Sequence, residues 1–277
     1  MNIFQLLKKV IDDGYADLDG SEEEKDELVK EKLDELGAAY HKLSQENPRI
    51  DYSDPATRIG YVFRYVSSHA HIVAEAVEDN LYSLLDEKTL TVSCIGGGPG
   101  SDFLGIVLLL LRYKRETKLK CYLLDGEEAW GDAWSDVDSH LADTPFSVNT
   151  HFQCLDVTDP DTWTVQKKYL NSQLFTMIYF VSEVYANRVE AEAYFDHLFE
   201  NAQSGAFFLY IDNRADCFTS FIEGLATKHG LSTVATEDGK SGLPASEEKK
   251  DLEPYLSKFD GSPKLGGLVS CRVFQKP

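Results

Sequence analysis

The sequence predicts an α/β protein: a mostly parallel sheet with helices on both faces, preceded by a helical segment. Three observations lead there. Short apolar segments after residue 88 alternate with helix-compatible ones. The first of them runs into a glycine-rich turn, Gly96-Gly97-Gly98-Pro99-Gly100, and at once into an apolar helix beginning near Phe103. The chain before residue 89 carries helix-start signals. Short apolar strands separated by helices suit a parallel sheet buried on both faces. Right-handed crossovers then bring every strand C-terminus to one edge, where ligands bind.

Taken in order, residues 1–13 read as a short helix and 14–20 as a break. Ser21 followed by Glu24 is a capping box, which opens a charged helix from Glu22 to Gln45 with Leu28, Leu33, Leu36, Tyr40 and Leu43 as its apolar stripe. Asp54-Pro55 starts a third helix, with Asp as N-cap and Pro at the first helical position. It runs to Asn80 and is rich in aromatics and histidines: Tyr61, Phe63, Tyr65, His69 and His71. Residues 1–88 thus form a helical cap or extension, and 89–277 the α/β domain. Strands are expected at Thr89 to Ile95, Leu119 to Leu124, Ser147 to Leu155, Leu174 to Val181 and Ala206 to Ile211. Two weaker ones, around Leu231 to Ala235 and Leu268 to Phe274, bring the count to seven. Helices are expected at 102–115, 127–141, 161–171, 187–203 and 215–229. The polar stretch 237–267 reads as a surface excursion or lid.

A chain of 277 residues with 43% hydrophobic side chains holds one large domain with an extension, or two small ones. The net charge is −20, and residues 121–161 contain ten acidic side chains with no Lys or Arg. Phosphate binding rests on Lys and Arg, so nucleic acid is disfavoured as a partner. The five cysteines, at 94, 121, 154, 217 and 271, form no C-x-x-C pair. They read as reduced core thiols of an intracellular protein, with Cys94, Cys121 and Cys154 in buried strands. No apolar run is long enough to span a membrane, and the first residues lack a signal-peptide core. The expected location is cytoplasmic, with the nucleus open.

The strand ends carry the chemistry: the glycine turn, Asp125, Asp156, Ser182-Glu183 and Asp212-Asn213. Glycines in the turn tolerate positive φ and let backbone approach a ligand, and the following helix start suits a carboxylate or phosphate. Asp125 is placed to accept hydrogen bonds from ribose hydroxyls. Asp156, one crossover further, is placed to accept from a purine amine. Gly96, Gly98 and Gly100 read G-x-G-x-G, whereas a dinucleotide fingerprint is G-x-G-x-x-G with a small residue at the position of Ser101. The turn alone leaves both readings open.

Over residues 89–277 the chain resembles the class I S-adenosylmethionine-dependent methyltransferases, whose domain is Rossmann-like. Ser93-Cys94-Ile95-Gly96-Gly97-Gly98-Pro99-Gly100 matches their first motif, Asp125 their second-motif acid, Asp156 in Leu155-Asp156-Val157-Thr158-Asp159 their adenine-side acid, and Ile178 to Tyr185 their fourth motif. Cys94 departs from the pattern, since many members have an acidic residue there. The resemblance implies S-adenosylmethionine held by Gly96, Gly97, Gly98, Gly100, Asp125, Asp156, Val157 and Ser182. It implies methyl transfer by in-line displacement to a small-molecule or protein acceptor. Glu183 and Tyr185 are the catalytic candidates, with Glu183 as a helix cap the plainer alternative. Tyr61, Tyr65, His69 and Asp212 are the substrate candidates. Asp212, Asn213 and Glu183 also offer oxygens for Mg²⁺, but a turn or cap role fits Asp212-Asn213 better, so no metal is expected. Trp130 and Trp134, at i and i+4, are expected to pack in the core. The competing functions are a nicotinamide-dependent oxidoreductase and a non-catalytic adapter.

Overall fold

The computed structural model describes residues 2–43, 48, 50–141, 144–243 and 247–277. The helical segment comprises α1 (Ile3–Asp17), α2 (Glu22–Tyr40), α3 (Pro55–Arg64) and α4 (Val66–Asn80). There follow β1 (Thr89–Ile95), α5 (Ser101–Tyr113), β2 (Lys118–Asp125), α6 (Trp130–His140), β3 (Val148–Cys154), the short α7 (Pro160–Trp163) and β4 (Leu174–Ile178). The chain continues through the short α8 (Phe180–Val184), α9 (Arg188–Asn201), β5 (Phe207–Asn213), α10 (Asp216–Lys228), β6 (Ser232–Gly242), the short α11 (Tyr255–Lys258) and β7 (Gly266–Gln275).

The seven strands make one sheet in the order β3-β2-β1-β4-β5-β7-β6. β1 to β5 pair in parallel, and β7 runs antiparallel to both β5 and β6. The fold is Rossmann-like, as the alternation of apolar segments and helices predicts. The order reverses between β1, which continues to β2, and β4 on its other side, so a crevice opens at the C-terminal ends of those two strands.

Local signals explain the helix starts. Asn2 and Ser21 each make a capping box, with Gln5 and Glu24 respectively. The Asp54 carboxylate accepts from the Ala56 N–H at 2.8 Å, with Pro55 at the first helical position. α5 is almost wholly buried, from Phe103 to Leu110, between the sheet and α4. Each fully buried Leu or Phe there contributes roughly 1.5–3 kcal/mol. Residues of α1 to α4 lie in the same apolar core as β1, β2 and α5, so the helical segment is packed into the body it precedes.

Several expectations need correction. The predicted break at 14–20 begins only after Asp17; α1 runs through Gly14, where a Cβ would lie 3.3 Å from Ile59, so the glycine lets α1 and α3 approach. α2 ends at Tyr40, and Gln45 lies outside the described residues. The third helix is two, divided at Tyr65 (φ −118°, ψ −35°). The helix expected at 161–171 is the four-residue α7, capped by Asp159, followed by a 3₁₀ turn at Lys168–Asn171. β4 stops at Ile178 rather than Val181, because Tyr179 adopts φ 55° and turns the chain into α8. The excursion is shorter than 237–267, since β6 and β7 stay paired out to Gly242 and Gly266. A Cβ at either glycine would lie within 2.5 Å of a facing carbonyl oxygen, an approach only glycine permits. Nor is the remaining segment a surface feature throughout: Leu252, Tyr255 and Phe259 are buried. Tyr255 stacks edge-on to Tyr15 of α1 and its hydroxyl donates to Asp12. Cys94 and Cys121 are buried as expected, but Cys154, on the edge strand β3, is exposed.

Candidate functional site

The glycine turn between β1 and α5 is built from three positive φ angles: 63° at Gly96, 47° at Gly98 and 81° at Gly100. Its four glycines do different things. A Cβ on Gly96 would sit 2.1 Å from the Phe180 ring, so Gly96 lets α8 close over the turn. Gly97 and Gly100 are structural: a Cβ would strike Cys94 at 2.9 Å in the first case and Trp134 at 2.3 Å in the second. Gly98 alone faces open space, with its nearest neighbours at 3.7 Å or more. Gly96 and Gly98 line the cavity, and Gly97 and Gly100 do not.

That cavity, about 200 Å³, lies at the C-terminal ends of β1, β2, β3 and β4. Asp125, the last residue of β2, is its centre. Its Oδ2 accepts from the Gly98 N–H at 2.8 Å and its Oδ1 from the Glu127 N–H at 3.0 Å. An ionised carboxylate has about four acceptor sites, so both oxygens retain capacity for a ligand. Burial pushes the Asp125 carboxyl up to about 6, against the pull of those N–H groups. Asp156, beyond β3, is exposed at the rim; its Oδ1 accepts from the Thr158 N–H and hydroxyl at 2.8 and 2.7 Å. Val157 forms the wall beside it.

The roof is aromatic. Tyr52, Tyr61 and Trp130 pack together with ring centroids 5.4 to 5.8 Å apart, and Tyr179 and Phe180 close the β4 side. Glu183 on α8 reaches the same space. Its Oε1 lies 3.1 Å from the Tyr40 hydroxyl and 3.2 Å from that of Tyr52, and the two hydroxyls bond to each other. Burial first, then the Asp125 charge, push the Glu183 carboxyl up to about 8. At neutral pH it is a carboxylic acid, able to donate a proton or hydrogen bond. Among the described residues the lining holds four carboxyl groups (Asp125, Glu127, Asp156 and Glu183), five aromatic side chains and no Lys or Arg.

Among the predicted site residues, the structure brings together Gly96, Gly98, Asp125, Asp156, Val157, Tyr61 and Glu183. It separates others. Ser182 turns inward, its N–H donating to Asp212 Oδ2 at 2.8 Å and its hydroxyl to the Tyr179 carbonyl at 3.2 Å. Asp212 is fully buried and spends its other oxygen on the Asn213 N–H at 2.7 Å, the turn role, rather than facing the cavity. Tyr185 packs against Phe218 and Phe221 with Arg188 over its ring, away from the site. Tyr65 and His69 line a second, smaller cavity behind Tyr179. Among the described residues no three His, Cys, Asp or Glu side chains are grouped to hold a metal ion.

Tyr52 and Tyr179 were not among the candidate site residues, and Trp130 was expected chiefly in the core, with contact to a cationic ligand as the alternative. Tyr52 had one signal, an aromatic two residues before the N-cap Asp54. Tyr179 lay inside the fourth-motif stretch Ile178 to Tyr185, but where its ring points depends on where β4 ends. Asp102 was missed as well. It is 2% exposed in the first turn of α5, where the Thr176 hydroxyl donates to it at 2.6 Å and burial pushes it up to about 7.

These shifts make stability fall with rising pH. Glu183 and Asp102 hold protons in the folded chain that the unfolded chain releases near pH 4. Their contribution is complete below the ordinary carboxyl range and is lost as pH rises through about 7 and 8. His69, pushed down to about 3 by burial, acts oppositely, but only below its ordinary value of 6.5. From about pH 6.5 to about pH 8.5 the loss should be roughly 3 kcal/mol, a drop of ~5 °C in thermal midpoint. Glu183→Gln should flatten that drop. A midpoint that holds or climbs over this range contradicts a buried, proton-bearing Glu183.

No protein-family model and no curated protein matches the chain. Solved structures do match. Methyltransferases are prominent among them. An O-methyltransferase family protein from Burkholderia thailandensis shares 11% identity, covering 90% of this chain and 70% of that one, with a TM-score of 0.47. The N-methyltransferase NodS from Bradyrhizobium japonicum, in complex with S-adenosyl-L-homocysteine, shares 10%, covering 88% and 98%, with a TM-score of 0.43. An rRNA methylase from Streptococcus thermophilus shares 12%, covering 70% and 91%, with a TM-score of 0.38. The matches give no support to the expectation that nucleic acid is disfavoured. No helix of the described residues is long and apolar enough to cross a membrane.

Proposed function

We propose that this chain is an S-adenosylmethionine-dependent methyltransferase acting on a small-molecule or protein acceptor. One observation carries the reading: the cavity at the crossing of β1 and β4 is lined by carboxyl groups and aromatic rings and, among the described residues, by no cation. Such a lining attracts a cationic nucleoside, whose sulfonium gains from both carboxylates and ring faces. It repels the pyrophosphate of a nicotinamide cofactor, the competing reading. The residues fit the group in other respects. Gly98 leaves bare backbone where a ligand approaches, and Asp125 presents spare acceptor sites to ribose hydroxyls. Asp156 stands at the rim, where an adenine amine would lie.

When bound, the cofactor supplies an electrophilic methyl on positively charged sulfur. The chain's own residues then position and shield. Asp125 fixes the sugar, the Tyr52–Tyr61–Trp130 roof excludes water, and Glu183, held at Oε1 by the two tyrosines, takes in its ionised form the proton that the acceptor loses as the methyl is transferred. Glu183→Gln keeps the shape and the tyrosine contacts but removes the titrating proton. Turnover should fall by about 100-fold or more, the usual weight of a general acid or base, with binding of S-adenosyl-L-homocysteine unchanged. Unimpaired turnover removes Glu183 from the mechanism. The function itself is tested by incubating the protein with methyl-labelled cofactor and fractionated cell extract. Label in a small-molecule or protein fraction supports it, label in RNA changes the acceptor, and no label with a well-folded, cofactor-binding protein favours the adapter.

A further inference from the structure

Behind Tyr179, on the side away from the glycine turn, lies a second, narrow cavity of about 20 Å³. Tyr179 is common to the walls of both cavities, and the smaller one is completed by Tyr40, Tyr65, His69, Asn213 and Lys264. It has room for about one water-sized group, so it fits the end of a ligand and not a whole one. Lys264 brings into it the positive charge that the first cavity lacks. The Lys264 N–H donates to the Arg64 carbonyl at 2.7 Å, which ties the segment before β7 to the end of α3 and sets two cations side by side. The Arg64 guanidinium donates to the Ser262 carbonyl at 2.7 Å. Neither cation makes an ion pair with a described carboxylate, in a protein of net charge −20. Loss of surrounding water first, and then the Arg64 charge, hold the Lys264 ammonium below its usual range, a cost that a bound anion relieves.

His69 is the second observation. It is 5% exposed and stacks on Tyr179 with centroids 4.2 Å apart. Its Nδ1 lies 3.4 Å from the Tyr61 hydroxyl, and burial holds the ring neutral, pushed down to about 3, so it brings a polar, uncharged edge to the slot. A third point fixes where the open space lies. The Lys264 Nζ and the Tyr179 hydroxyl each lie 3.9 Å from the place a Cβ on Gly267 would occupy, so the glycine keeps open the gap between them.

We infer that this slot binds a carboxylate carried by the methyl acceptor, held between the Lys264 ammonium and the Tyr179 hydroxyl with Arg64 behind and His69 beside it. The inference rests on the proposed cofactor site, because it makes Tyr179 the partition between cofactor and acceptor. Two cations against a net charge of −20 are too few to hold a nucleic-acid backbone, which favours a single carboxylate over a phosphate chain.

The test uses the full-length protein at constant ionic strength, with malonate as the carboxylate probe, inorganic phosphate and a short single-stranded RNA as the other arms. Binding is read by calorimetry and by the ¹⁵N shifts of the His69 ring. Malonate should bind saturably and move the His69 signals. Lys264→Gln should weaken it by about tenfold or more, the weight of one charge-assisted contact. Gly267→Ala fills the gap while meeting its neighbours only at ordinary contact distances of 3.8 to 3.9 Å, so the fold should survive and malonate binding should fall similarly. Malonate binding that is absent, or equal in both variants and wild type, overturns the inference, as does a preference for phosphate or RNA. S-adenosyl-L-homocysteine is titrated in parallel. Its failure to bind while malonate still binds at Lys264 sinks the cofactor reading and leaves an anion site alone.

Discussion

Gly96→Ala should destabilise the protein by about 3 kcal/mol or more and abolish cofactor binding. Two costs add. An alanine forced to φ 63° loses about 1–2 kcal/mol, and its methyl would lie 2.1 Å from the Phe180 ring, an overlap worth a further ~1–3 kcal/mol. Phe180 cannot retreat cheaply, because it begins α8 and packs on Phe195. The comparison variant is Gly98→Ala. It too sits at positive φ, but its methyl meets nothing closer than 3.7 Å and points toward the cavity. Gly98→Ala should therefore keep a cooperative unfolding transition and still lose affinity for S-adenosyl-L-homocysteine. Thermal melts and calorimetric titrations separate the two. A Gly96→Ala protein that melts like wild type contradicts the closure of α8 over the turn.

Asp125→Ala should weaken binding of S-adenosyl-L-homocysteine by about 1–3 kcal/mol, or roughly 5- to 150-fold. The substitution removes the acceptor proposed for the ribose and leaves the Gly98 and Glu127 N–H groups unpaired. The turn then loses its anchor to β2, so the loss falls on a residue that both shapes and fills the site. Asp125→Asn keeps one acceptor oxygen and should lie between the two. Affinity unchanged in Asp125→Ala means that the sugar is held elsewhere.

Much of this was legible in the sequence for physical reasons. β1 was read to the residue because a run alternating apolar Leu90, Val92 and Cys94 with Thr and Ser meets Gly96, whose positive φ ends the strand. Asp125 and Asp156 line one cavity because a parallel sheet puts all its strand ends on one edge, which the sequence order of strands already implies. What failed depended on tertiary detail. Whether Ser182 faced cavity or core turned on Tyr179 adopting φ 55°, which no periodicity announces. The roof joins Tyr40, Tyr52 and Tyr61 to Glu183, residues more than 120 positions apart in the sequence. Tyr185 was one position past the last site residue, and a one-residue step on a helix turns a side chain by 100°.

The central claim is that carboxyl groups and aromatic rings at one sheet edge hold a cationic nucleoside. Its most direct test is a calorimetric titration of the folded protein with S-adenosylmethionine and with NAD⁺, each repeated on Asp125→Ala. Saturable one-to-one binding of S-adenosylmethionine, weakened in the variant and absent for NAD⁺, is the predicted result. Binding of NAD⁺ instead, or of neither, contradicts it.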